Sequence, residues 1–427
     1  MDADVIIVGG GPAGSTLATY LAMHNVNALL IEKDHHPKRH VGESLVPATT
    51  RIFKEIGFLE VMEQEHFIHK PGACWTTWTS ENDSTYVLRL NEIPQPGVDQ
   101  DYTYHVDREK FDLLLLKHAV SKGARVIQGL RAERVLMNGD GYAHGVEVQL
   151  GSRTIQLRSK IVVDATGRNT LLGNQLRLKQ PDPLFNQFAI HSWFEDVDLG
   201  PTELEDFIHI HFIPVTRGWV WQIPIAERVT SIGVVTDKTA FRSGLSSLSD
   251  EAFFMQQIQT NPILAKRMKG AKRIRSFVRE ADYSYSMKQL AGNGFLLVGD
   301  AARFVDPIFS SGVNIAMDSA KFASEHILTA LETGNSSYEH FRPYEQKLKA
   351  GVTVWYEFIR LYYKLLHLFP HFTQNKQYRY ELLALLQGEV YDRKAVKILD
   401  EMKRVIKAVE ATPNHMWKPF LTDMVID

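Results

Sequence analysis

The sequence predicts an α/β protein: a Rossmann-type nucleotide-binding domain, an inserted antiparallel β-sheet domain and a C-terminal helical region. Three observations lead there. The chain opens on a buried-type strand, Val5–Val8, that runs into a glycine turn, a helical stretch over Ala13–His24 and a second strand over Ala28–Ile31. The middle carries short runs at Gln187–Phe194, Phe207–Phe212, Trp219–Ile225 and Thr230–Val235, separated by polar or Gly/Pro turns. From about Ser336 onward the pattern is helical and rich in aromatics.

Composition narrows the class before any motif is considered. At 427 residues the chain calls for two or three subdomains. A net charge of -2 gives no electrostatic case for binding nucleic acid. One cysteine, Cys74, forbids an internal disulfide and a multi-cysteine metal site, and predicts a reducing, cytoplasmic setting. Cys74 itself reads as a packed side chain. No run is apolar enough for a transmembrane segment, and His209 and His211 alternate on a strand without a third ligand, so no metal is expected.

The glycine turn is Gly9-Gly10-Gly11-Pro12-Ala13-Gly14. Gly9 permits the tight turn, Gly11 lets the backbone approach a pyrophosphate, and Gly14 allows close helix–strand packing, with Ala13 in the first helical turn. Phosphates would then sit at the positive end of the helix. Glu32 ends the second strand at the spacing of a ribose-binding carboxylate, with Lys33 beside it and Arg39 and Ser44 further along. This turn alone does not separate FAD from NAD.

Three further stretches do. Gly294–Ala302 is an apolar strand ending in Gly299-Asp300 and entering a helix-like segment; it resembles the second FAD fingerprint of the para-hydroxybenzoate hydroxylase-like superfamily. Tyr104–Asp112 resembles that superfamily's entry to a long helix, and Ile161–Arg168 its Asp-Ala-Thr-Gly stretch. The resemblance implies FAD, with Asp300 at the ribityl chain and Arg108 toward the phosphates. It divides the chain into an FAD-binding domain (1–73, 101–180 and 277–330), a β-sheet substrate domain (74–100 and 181–276) and a helical region (331–427).

Within that superfamily three elements resemble flavin-dependent halogenases. Gly218–Pro224 contains WxWxIP; Trp219 and Trp221, at period two, share one strand face and can wall off the flavin. Lys70, in His69–Ala73, stands where the family keeps its catalytic lysine, downstream of the similar Val41–Pro47 stretch. An amine there forms a haloamine when neutral or polarises an oxidant when protonated, and burial favours the neutral form. Arg303–Asn314 follows an FxxPxxSxG pattern, so the resemblance implies a halide near Pro307, Ser311 and Gly312, with Gly312 and Val313 also against the flavin.

What the resemblance implies is an FADH2-dependent halogenase that uses O2 and halide, chloride or bromide, to make hypohalous acid. Reduced flavin would come from a separate flavin reductase. The substrate would be a phenol or pyrrole, free or tethered to an acyl or peptidyl carrier protein, in secondary-metabolite biosynthesis. Asp306 and Glu357 are available as bases, without a spacing argument for either. The competing readings are an aromatic hydroxylase, in which Trp219, Trp221 and Lys70 would be incidental, and a geranylgeranyl-reductase-like enzyme acting on isoprenoid double bonds.

Overall fold

The computed structural model describes residues 1–77, 85–215, 217–238, 248–281 and 284–426. Its first sheet has six strands in the order 291–292, 295–297, 161–164, 5–8, 28–32, 125–128. All neighbours are parallel except the 291–292 edge. The central strands are buried along their whole length, which is why they read as continuous apolar runs rather than alternating ones. The first helix, Pro12–Met23, lies one residue earlier than the apolar pattern suggests, because Pro12 occupies the first helical turn.

The second sheet has eight strands and holds every strand expected in the middle of the chain. Antiparallel pairing joins Gln187–Glu195, Val229–Asp237, Trp219–Ala226 and Ile208–Phe212. Beyond Ile208–Phe212 the next strand, Gly72–Thr76, runs parallel, so the sheet is not uniformly antiparallel. Two expected boundaries also shift. The Gly72–Thr76 strand begins before residue 74, and Val278–Ala281 pairs with Gln187–Glu195 beyond residue 276.

A further correction concerns the stretch after Gly299-Asp300. No continuous helix follows it: a 3-10 turn covers Gly299–Ala301, another covers Pro307–Phe309, and the long helix starts only at Ser311. The turn at Ser310, with φ of 57°, sets the helix axis anew. Helices Ser311–Thr333, Tyr338–Lys364, Lys376–Leu386 and Lys397–Ala411 then complete the molecule. Trp355, Phe358, Tyr362, Tyr363 and Phe369 are core residues of that bundle.

Candidate functional site

Gly9 and Gly14 lock the first turn. A Cβ on Gly9, at φ +114°, would lie 2.2 Å from the Ala165 carbonyl oxygen; one on Gly14 would lie 1.9 Å from that of Gly9. Gly11 is different. Nothing lies within 4 Å of its Cβ position, and as N-cap of Pro12–Met23 it leaves the helix start without a side-chain cap. Free N–H groups facing open space are what a diphosphate requires.

Glu32 is buried, and its two oxygens are committed. Oε2 accepts from the Gly10 N–H at 2.7 Å; Oε1 accepts from the Asp34 N–H and from Lys38 Nζ at 2.8 Å. Burial would raise its carboxyl, but these donors outweigh it and hold the group below the ordinary range. The lysine on Glu32 is Lys38; Lys33, expected at the cofactor, is exposed and 3.9 Å from Asp34. Arg39 is exposed on the rim, 3.4 Å from Glu109.

Arg108 is buried and binds Asp112 with Nε and Nη2, at 2.8 and 2.9 Å, while Nη1 donates to the Val41 carbonyl. Its guanidinium thus pins the Val41–Gly42 turn, and a Cβ on Gly42 would lie 2.9 Å from Nη1. Asp300 is partly accessible, and burial raises its carboxyl to about 6 despite Arg168 and Arg108. The buried Ser44 Oγ and Glu43 Oε2 lack partners. A buried polar atom without a partner is rare and signals a missing ligand or water. Together with the open space at Gly11, these atoms fit a dinucleotide along this cleft.

Lys70 ends the short strand Ile68–Lys70, which pairs with Thr103–His105. Its Nζ donates to the Leu45 carbonyl at 2.8 Å, which brings the Val41–Pro47 stretch onto the lysine. Burial alone pushes its ammonium down to about 7. The lysine faces a narrow cavity of about 30 Å³ bounded by Trp75, Ile210, Phe309, Ser310, Leu383 and Leu386.

Strand register links this cavity to the tryptophan pair. Ile210 lies opposite Trp221 on one side and Trp75 on the other, so the three share a sheet face. Trp219 and Trp221 have ring centroids 5.9 Å apart and are both buried. Trp221 donates to Ser231 Oγ, and its indole occupies the place a Cβ on Gly233 would take, at 2.1 Å. Trp219 donates to the Tyr363 hydroxyl at 2.9 Å.

Helix Ser311–Thr333 also starts without a side-chain cap. Ser311 and Val313 are buried, whereas Gly312 and Pro307 are partly accessible. A Cβ on Gly312 would meet Phe304 at 3.5 Å. Ser310 borders both this helix start and the lysine cavity, which joins the two expected site groups.

The remaining candidates separate cleanly. Glu357 is paired with Lys403 and lines a separate pocket with Arg360, not the Lys70 cavity. Asp306 is buried; burial raises it to about 7. Burial pushes the Cys74 thiol up to about 12, as befits a packed side chain. His209 and His211 lie on the other sheet face, bonded to Arg267, Thr76 and Gln222. Trp75, Leu88, Leu90, Leu383 and Leu386 line the cavity and escaped sequence reasoning. Trp75 could have been found from its period-two relation to Ala73, but Leu383 and Leu386 carry no local signal.

The model of the tryptophan halogenase family matches residues 4–96 and 88–368, most of the chain. The chain belongs to that family. It is a flavin-dependent halogenase by descent, and membership implies a flavin and a halide. The hydroxylase and isoprenoid-reductase readings are not favoured. One relative, a pyrrole-2-carbonyl-(peptidyl-carrier protein) chlorinase of Pseudomonas fluorescens, is 47% identical over 442 residues, covering 100% of this chain and 98% of its own. A pyrrole-2-carbonyl-(peptidyl-carrier protein) brominase of Pseudoalteromonas luteoviolacea is 31% identical, covering 91% and 92%. Among solved structures, the flavin-dependent brominase Bmp2 superposes with a TM-score of 0.85 at 29% identity, over 96% of this chain and 99% of that one. Among the described residues no helix is long and apolar enough to cross a membrane.

Proposed function

We propose that this enzyme halogenates a pyrrolyl group held as a thioester on a peptidyl carrier protein. The observation that carries the proposal is the 47% identity, end to end, with a chlorinase of that substrate class. The buried lysine fits the same reading, because a pyrrole is already nucleophilic and needs an oxidant delivered more than it needs a base.

FAD would lie along the cleft from Gly11 to Asp300, with Ser44 and Glu43 beside it, and supplies O2 activation when reduced by a separate flavin reductase. Backbone N–H groups at Ser311, Gly312 and Val313 hold the halide by charge–dipole attraction. Pro307 rigidifies the turn that presents them. Trp219 and Trp221 exclude the organic substrate from the flavin side, so oxygen is not inserted directly. Hypohalous acid then moves along the shared sheet face to Lys70. Burial lowers that amine to about 7, so its neutral form is available near neutral pH. The neutral amine takes the halogen from hypohalous acid with release of water and passes it to a ring carbon, which gives up its proton, while the protonated form directs hypohalous acid to the ring.

The test is direct. The FAD-loaded enzyme, a flavin reductase, NADH, O2 and halide are mixed with pyrrole-2-carbonyl carrier protein and the product is read by mass spectrometry. Halogenated carrier-bound product is expected. Halogenation of free phenols with none of the carrier-bound pyrrole would reassign the substrate.

A further inference from the structure

The tryptophan pair is anchored unequally. Trp221 donates to Ser231 on the adjoining strand of its own sheet. Trp219 donates to Tyr363, which belongs to the C-terminal helix Tyr338–Lys364. The Tyr363 hydroxyl in turn donates to Asp306 Oδ1 at 3.1 Å, and that oxygen also accepts the Ile308 N–H at 3.0 Å. Asp306 is 2% exposed and its Oδ2 has no partner among the described residues.

These bonds run in one direction. An indole N–H only donates, a phenol hydroxyl accepts and donates, and Asp306 Oδ1, which already accepts the Ile308 N–H, still accepts when a proton sits on Oδ2. Trp219, Tyr363 and Asp306 can therefore satisfy one another in a single arrangement. The chain spans three elements: the tryptophan strand, the C-terminal helix and the turn that precedes Ser310. That turn carries Ile308 and Phe309, both of which line the lysine cavity.

We propose that Tyr363 is a positioning residue: by bridging Trp219 to Asp306 it fixes the indole wall against the turn that borders the cavity. It thereby sets what share of the oxidant reaches Lys70 instead of escaping to solvent. This inference rests on the halogenase mechanism given above. Without the hydroxyl, the Trp219 N–H is buried without an acceptor, and the indole turns toward whatever acceptor it can reach. The wall loosens at its one end that another element holds.

The readout is a partition: halogenated substrate against hypohalous acid trapped by monochlorodimedone, per O2 consumed, in FAD-loaded enzyme. Tyr363→Phe is expected to raise the trapped share at least threefold. In a Trp219→Phe background the same change is expected to have no further effect, since the bond it removes is already gone. An unchanged partition in Tyr363→Phe, or an equal shift in the Trp219→Phe background, overturns the inference. A residue that served stability alone would lower Tm and leave the partition where it was. Should Tyr363→Phe not fold, Asp306→Ala, which removes the oxygen that Tyr363 donates to, carries the same test with the same two outcomes. Parent enzyme that makes no hypohalous acid at all would remove the functional reading itself, which keeps the two failures apart.

Discussion

Among the described helices that start without a side-chain cap, two border the candidate site, and they are built oppositely. Pro12–Met23 begins at Gly11 in open space, on a turn whose other glycines are locked against Ala165 and against each other. Ser311–Thr333 begins at Ser310, a non-glycine residue at φ 57°, with Phe304 beside Gly312 and the lysine cavity beyond. Both leave N–H groups for an anion. The first has room for a diphosphate; the second is confined and suits one small ion. Anion size is set by what surrounds a helix start, not by the helix.

Breaking the first start should cost most. Gly14→Val forces a side chain into the Gly9 carbonyl, and FAD affinity is expected to fall more than about 100-fold, since close contacts and backbone strain of a few kcal/mol convert to that range. Fluorescence titration of FAD, with circular dichroism to verify folding, measures it. The second start tolerates more. Gly312→Ala places its methyl at ordinary contact distance from Phe304. It is expected to raise the halide KM about tenfold, the value of one methyl group in a tight site. FAD affinity should stay within about twofold, well under the 1.4 kcal/mol that separates decades. Equal losses of FAD and halide binding in Gly312→Ala would erase the contrast between the two starts.

The smallest expected effect concerns the cavity beside the second start. Burial lowers Lys70 to about 7 in the folded protein, against an ordinary lysine in the unfolded chain. Between pH 7 and 10 the unfolded chain therefore binds the extra proton, and parent stability gains with rising pH. Lys70→Met removes that gain. The Tm of parent relative to Lys70→Met is expected to climb by a few degrees from pH 7 to pH 10, since the shift is worth about 4 kcal/mol over that range and each 1 kcal/mol about 1 °C in a chain of this size. A flat difference would mean that Lys70 is not desolvated.

What the sequence made legible follows from how local each feature is. The first turn, its strands and Glu32 sit within some thirty residues, so glycine spacing and apolar runs identify them. The second FAD stretch was read as a strand, but the strand stops at Leu297, and the Gly299-Asp300 turn and its continuation were not read, because the 3-10 turns before Ser310 have no periodicity. Lys38 was missed for the same reason: the irregular segment after Glu32 decides which lysine folds back. Lys70 was found only through its motif. Its cavity is closed by Leu383 and Leu386, three hundred residues away, and nothing local announces that contact. The bond from Trp219 to Tyr363 likewise joins residues 144 apart.

The central claim is that oxidant made at the flavin side is delivered through Lys70. Lys70→Ala, loaded with FAD and supplied with reductase, NADH, O2 and halide, tests it on carrier-bound pyrrole. Loss of halogenated product by about 100-fold or more is predicted, the scale of a missing catalytic proton-transfer or nucleophilic group, while flavin oxidation continues. Halogenated product at the parent rate would contradict it.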